Sequence, residues 1–195
     1  MEHFEETLRI ICDAVRSVRE EEFNALKNAC LSALDAGGKI IASGLGKNVP
    51  ICEKFVGTLN SLGIPAAFMH TNSAVHGDLG MVLKNDIVIV LTKSGRTSES
   101  VRLVGLLKRR SCKVFLLSFD RGGTLCRETP DRLIVELEHE GDAWNILPNN
   151  SSALNLIILQ ELAMLIAKER RVCLDTLREN HPGGAIGERL GGETE

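Results

Sequence analysis

The sequence predicts an α/β fold: a three-layer, doubly wound parallel sheet of five strands with helices on both faces, and a long N-terminal helix ahead of the first strand. Three observations predict it. Short apolar runs rich in β-branched residues, of which residues 85–91 are the clearest, read as strands buried on both faces. Helical spacing follows them: Val101, Leu103, Val104, Leu106 and Leu107 come after 85–91, and Lys108, Arg109 and Arg110 close the pattern where a helix end favours cations. Strand and helix then alternate with short connections, which parallel pairing requires.

Residues 4–34 place Phe4, Leu8, Ile11, Val15 and Val18, then Phe23, Leu26, Ala29, Leu31 and Leu34, at helical spacing, so this is one long helix or two with a break in the charged stretch 16–22. Gly37 and Gly38 stop it. A helix of that length has little sheet to cover within one subunit, and a second subunit is its natural packing partner. Residues 39–43 are the first strand. The turn 44–48, Gly-Leu-Gly-Lys-Asn, leads into a helix over 49–62 ended by Gly63 and Pro65. That turn fails the P-loop spacing and lacks the third glycine of a dinucleotide fingerprint. Residues 66–69 are the second strand, and 70–80 a polar loop or short helix holding His76. The fourth strand is 113–118 and the fifth 132–135, with a short helix between, beginning near Thr124 and ending near Thr129 and Pro130. A loop over 140–150 precedes an apolar helix from its cap Ser151 to about residue 168, and a last short helix near 174–179 leads into 180–187. The whole reads as one domain: an N-terminal helical segment (1–36), an α/β core (37–170) and a C-terminal segment (171–195). A reversal of strand order after the first strand sets the turns after strands one and three side by side, and the ligand crevice belongs there.

Composition narrows the partners. A net charge of -3 exerts no general pull toward nucleic acid or an anionic membrane, so any anion site is local. The absence of Tyr and the single Trp144 argue against base-stacking platforms. No apolar run approaches a membrane span, and the acidic N-terminus lacks the order of a signal peptide. The six cysteines form no CxxC pair and read as buried free thiols, Cys12 among them beside Ile10 and Ile11, which implies a reducing cytoplasm.

Chemistry concentrates between strand three and its helix. Thr92, Ser94, Thr97 and Ser98 surround Gly95 in one turn that aims backbone N–H groups and a positive helix end at a common point. An ordinary N-cap needs one hydroxyl, and four point to a phosphate or carboxylate ligand.

The stretch Ser94-Gly95-Arg96-Thr97-Ser98-Glu99 after a buried strand resembles the hallmark of SIS (sugar isomerase) domains, which bind phosphosugars. Residues 44–47, 76–81 (His-Gly-Asp-Leu-Gly-Met) and 181–187 (His-Pro-Gly-Gly-Ala-Ile-Gly) make the chain similar, within that group, to the D-arabinose 5-phosphate isomerases. The resemblance implies a flavodoxin-like strand order and interconversion of D-ribulose 5-phosphate and D-arabinose 5-phosphate without metal or cofactor. It implies Lys47, Glu99, Glu140, His76 and His181 as catalytic groups. Thr92, Ser94, Thr97, Ser43 and Asn48 are implied as phosphate-binding groups, Asn48 standing where the family has Ser or Thr. Arg96 stands where the family has Glu and adds a cation beside the anion site. Relatives continue into paired CBS domains, so the chain reads as a stand-alone catalytic domain. A homo-oligomer is implied, and His181, beyond the last core helix, is free to complete a neighbour's site.

Aldose–ketose isomerisation through an enediol(ate) needs a carbon base, an acid for the oxygens and a donor for the developing oxyanion. Glu140 or Glu99 suits the first role, His181 or His76 the second, and Lys47 the third. Two alternatives use the same fold: a phosphosugar-sensing module without turnover, which needs only the anion turn, and an isomerase of another sugar phosphate such as a hexulose 6-phosphate. His76 and Asp78 have no third ligand at a recognisable spacing, which leaves no predicted metal site.

Overall fold

The computed structural model describes residues 2–191; Met1 and 192–195, the end of the predicted C-terminal segment, lie outside the described residues. Five strands, β1 (Ile40–Gly44), β2 (Ala66–His70), β3 (Ile87–Thr92), β4 (Lys113–Ser118) and β5 (Arg132–Ile134), pair in parallel in the order β2-β1-β3-β4-β5. Every residue of β1 and β3 is buried, which is why their sequences show no polar alternation. The pleat sorts their side chains instead. Ile40, Ala42, Ile87 and Ile89 share a core with α2 (Glu20–Asp35), α3 (Asn48–Ser61) and α6 (Asn150–Glu169). Ile41, Val88 and Val90 face α4 (Ser98–Lys108) and α5 (Thr124–Glu128). The predicted doubly wound α/β fold is the one observed.

The N-terminal segment takes the two-helix form of the expectation, with its break inside the charged stretch 16–22, and corrects only the expectation that it has little sheet to cover. It is two helices, α1 (Glu2–Arg16) and α2. The break is fixed by Ser17, whose Oγ donates to Ala14 O at 2.7 Å and accepts from Glu136 N at 3.0 Å. Turned by this break, α2 packs on β1, β3, β5 and α6 and buries Leu26, Cys30 and Leu34. α1 packs on α6, burying Ile10 and Ala14, and leaves Phe4, Leu8 and Val15 exposed. Cys12 is exposed as well, because the core-facing positions of α1 are Ile10 and Ala14, and a residue midway between them points away. Cys30, Cys52 and Cys126 are the buried thiols, and burial pushes Cys52 up to about 12.

α6 is, by length and composition, apolar enough to cross a bilayer, contrary to the sequence expectation. Its apolar surface is used internally: Leu154, Ile158, Leu159, Leu162 and Ile166 lie in the core shared with α3 and the sheet. Ser151 sits inside this helix rather than capping it. The segment after α7 (Leu174–Asn180) forms a further helix, α8 (Gly184–Arg189), where sequence suggested loop. Asp86 fixes β1 against β3 at the opposite edge from the crevice. Buried there, its carboxylate accepts from Lys39 N at 2.9 Å, Leu83 N at 2.8 Å and Lys39 Nζ at 2.7 Å.

Candidate active site

The strand order reverses between β1 and β3, and the turns leaving their carboxyl ends lie side by side as predicted. After β3, Gly95 adopts φ +62°, a conformation side chains disfavour, and a Cβ there would come within 3.2 Å of Cys126 Sγ. The turn is folded by its own hydroxyls. Thr92 Oγ1 accepts from Gly95 N, and Ser94 Oγ accepts from Arg96 N, each at 3.2 Å, so each O–H remains available to donate. Thr97 occupies the N-cap position of α4 but makes no capping hydrogen bond, so the ordinary-cap reading does not account for it.

Between the two turns is a cavity of about 280 Å³ onto which three helices begin. Lys47 and Asn48 stand at the start of α3, Thr97 and Ser100 at that of α4, and Ser151 at that of α6. Their positive ends converge on one point, an arrangement suited to an anion. Thr92, Lys93 and Asn155 complete the polar lining. Asn48 Oδ1 accepts from Asn155 Nδ2 at 3.0 Å, which fixes the amide at the position where sequence comparison implied a hydroxyl. An adjoining cavity of about 180 Å³ brings together Lys93, Ser94, Asp120 and Glu140.

Glu140 is fully buried. Its Oε2 accepts the N–H of Ser151 at 2.9 Å, so the carboxylate, not a serine, serves the start of α6. Lys93 Nζ lies 2.7 Å from Oε1 at an angle poor for a hydrogen bond, leaving an ion pair in which that oxygen accepts no well-formed bond. Asn145 Oδ1 holds the Glu140 backbone N–H at 2.8 Å.

The other nominated residues lie around this centre. Ser43 is buried within β1, shares a hydrogen bond with Thr71 Oγ1 at 3.1 Å and lines neither cavity. Glu99 is exposed in the first turn of α4, its carboxyl held below the ordinary range by its own backbone N–H and by Ser98 Oγ at 2.8 Å, and it lines neither cavity. His76 is exposed at the end of a 3₁₀ turn (Ser73–His76) after β2, on the crevice edge of the sheet. His181 follows α7 at the other edge. Asn180 Nδ2 donates to Ser61 O at 3.2 Å, at the far end of α3 from Asn48, and the helix between spans roughly 20 Å. His181 Nδ1 lies 2.8 Å from Leu177 O; a carbonyl only accepts, so Nδ1 carries the proton and Nε2 is the free acceptor of the neutral ring.

Arg96 corrects an expectation. Its guanidinium is paired with Asp120, whose carboxyl it holds below the ordinary range, so it adds no free cation to the anion turn. Sequence reasoning missed Lys93, Ser100 and Asn155. A lysine directly at the carboxyl end of a buried strand and an asparagine inside the apolar run of α6 are the signals that mark two of them. A wider groove of about 970 Å³ lies between α1 and the 138–149 loop, but among the described residues no lysine lines it, and its Glu6 and Glu138 are paired with Arg9.

The SIS domain pattern matches residues 34–160. Arabinose 5-phosphate isomerase KdsD of Pseudomonas aeruginosa is 31% identical over 184 residues, which are 94% of this chain and 56% of that protein. KdsD of Escherichia coli strain K12 is 32% identical over 162 residues, 83% of this chain and 49% of that protein. The chain thus spans about half the length of these relatives. Among solved structures, an Escherichia coli CFT073 protein in complex with arabinose 5-phosphate superposes with a TM-score of 0.86 at 27% identity, covering 93% of this chain and 95% of that one. The pattern match runs from the end of α2 into α6 and takes in every strand and both turns of the crevice: the chain belongs to the SIS domain family.

Proposed function

We propose that the chain is a phosphosugar aldose–ketose isomerase that interconverts D-ribulose 5-phosphate and D-arabinose 5-phosphate through an enediol(ate). The observation that carries this reading is the meeting of three helix starts with a lysine and a neighbouring buried carboxylate at one crevice. The relatives named arabinose 5-phosphate isomerases, and the arabinose 5-phosphate held by a structural neighbour, support the substrate.

In this mechanism the phosphate is held by Thr92, Ser94 and Thr97 with the N-terminus of α4, and its remote binding positions the reacting carbons. Glu140 is the carbon base, since it lines the crevice whereas Glu99 lies on an exposed turn outside both cavities. Lys47 steadies the oxygen on which charge develops. A histidine opens the ring and serves the oxygen proton. His76 stands on the crevice edge of its own subunit, whereas His181, roughly 20 Å away along α3, is brought in by a neighbouring copy. The exposed apolar residues of α1 (Phe4, Leu8) and α6 (Ile157, Met164) offer that copy a surface. Acid, base and oxyanion donor suffice for this route, and no metal takes part in it.

The test is ribulose 5-phosphate in deuterated water followed by NMR. Arabinose 5-phosphate carrying deuterium at C2 is the expected product. Binding with neither exchange nor product overturns the enzyme reading in favour of a phosphosugar-sensing module. Exchange only with a hexulose 6-phosphate keeps the chemistry and replaces the substrate.

A further inference from the structure

Glu140 has no exposed surface, and a carbon acid reaches its carboxylate only where a neighbouring group makes room. One cover, the Ser151 N–H on Oε2, is backbone inside α6 and cannot leave. The other is the Lys93 ammonium on Oε1, carried by a flexible stem whose side chain is 42% exposed. The two ends of Lys93 are held differently. Its carbonyl accepts from Phe119 N at 3.0 Å and Ser118 Oγ at 3.1 Å, which fixes the backbone to the end of β4, while the ammonium is held by the ion pair at poor hydrogen-bond geometry. Lys93 also lines both cavities of the crevice, the one that holds Glu140 and the one that holds Thr92 and Thr97. Among the described residues, Lys47 and Lys93 are the cationic side chains that line the larger of these two. Arg96, the other cation of the turn, is taken by Asp120 and lines neither.

We propose that Lys93 exchanges partners: the phosphate of the substrate, seated at Thr92 and Thr97, draws the ammonium away from Glu140, and this movement uncovers Oε1 for the reacting carbon. The proposal rests on the isomerase reading for the role of the uncovered carboxylate, and it adds a phosphate ligand that also gates the base. It makes substrate phosphate a condition for a competent site. A sugar without phosphate leaves Lys93 on Glu140.

The test uses the full chain with inorganic phosphate as probe and ¹³C-labelled glutamate carboxyls, the Glu140 signal being identified by its loss in Glu140→Gln. In the unsubstituted chain this signal moves as phosphate saturates. In Lys93→Met it starts displaced and stays still, and phosphate binds about tenfold more weakly for the loss of one charge-assisted contact. In Lys93→Arg the Glu140 signal still moves but needs more phosphate to do so, because the planar fork holds the carboxylate more firmly. In Glu140→Gln phosphate binds a few-fold more tightly, because the carboxylate no longer competes for the ammonium. That variant decides the matter should Lys93→Met fail to fold, since a fixed structural pair predicts no tightening. The exchange is overturned by absent phosphate binding, by a Glu140 signal that ignores bound phosphate, or by Lys93→Met binding as tightly as the unsubstituted chain. Missing turnover of ribulose 5-phosphate beside an intact phosphate response refutes the isomerase reading alone, and turnover beside a silent Glu140 signal refutes the exchange alone.

Discussion

If His181 serves a neighbouring subunit, two inactive chains should restore each other. Lys47→Ala removes the oxyanion donor at the start of α3, and His181→Ala removes the ring beyond α7, packed at that helix's other end roughly 20 Å away. No side-chain rearrangement closes such a gap within one subunit. Each single variant loses an acid–base or electrostatic group worth about 10²–10⁴ in rate, so each alone works at about 1% or less. In a symmetric dimer assembled from an equal mixture, half the dimers carry one chain of each kind. One of their two sites then has both Lys47 and His181 intact. The mixture should therefore recover about a quarter of the unsubstituted activity. The assay is arabinose 5-phosphate formation after the two chains are unfolded together and refolded, against each variant treated alone. A mixture no more active than its parents refutes the shared site, as does a His181→Ala chain of undiminished activity.

Three further outcomes follow from the same geometry. Glu140→Gln should lower turnover about 10²–10⁴-fold while leaving phosphosugar binding measurable by calorimetry. Gly95→Ala forces an alanine to φ +62° against Cys126 Sγ, costs about 1–2 kcal/mol, and should show as a lower urea midpoint together with about tenfold weaker phosphate binding. Asp86→Ala strands two backbone N–H groups and the Lys39 ammonium, and urea unfolding at neutral pH should show a loss of about 3 kcal/mol. For Asp86 burial works to raise the carboxyl, but hydrogen bonds from Lys39 and Leu83 outweigh it and hold the group below its ordinary value. Its contribution is thus complete above that ordinary value and is lost as pH falls through the lower folded one. The gap between Asp86→Ala and the unsubstituted chain should narrow below about pH 4.

Those elements were legible whose signal is local. Residues 85–91 announce a strand because burial on both faces leaves no position for a polar side chain. The reversal at β1, and with it the position of the crevice, follows from rules of connection rather than from any one residue. The turn from Thr92 to Thr97 was legible because hydroxyls and glycine mark a chain that folds on itself. What sequence concealed is pairing across distance. Ser17 breaks the N-terminal helix by bonding Glu136, and nothing within residues 14–20 signals a partner so far along the chain. Arg96 reads as a free cation until Asp120 appears beside it.

The same blindness governs Glu140 and Lys93, forty-seven positions apart in the chain and 2.7 Å apart in space. Read singly, the glutamate is a loop carboxylate and the lysine a solvated residue at a strand end. Their juxtaposition changes what each must be. A carboxylate without exposed surface has lost its water and needs partners within the protein. A helix start supplies one through Ser151 N–H, and it is fixed. A lysine supplies the other through a stem that can move. An arginine at that position would grip both oxygens in a planar fork and hold the carboxylate more firmly. A compact ammonium with one poorly aligned contact is the weaker clamp, and a buried carboxylate that must be paired yet released for chemistry calls for the weaker clamp.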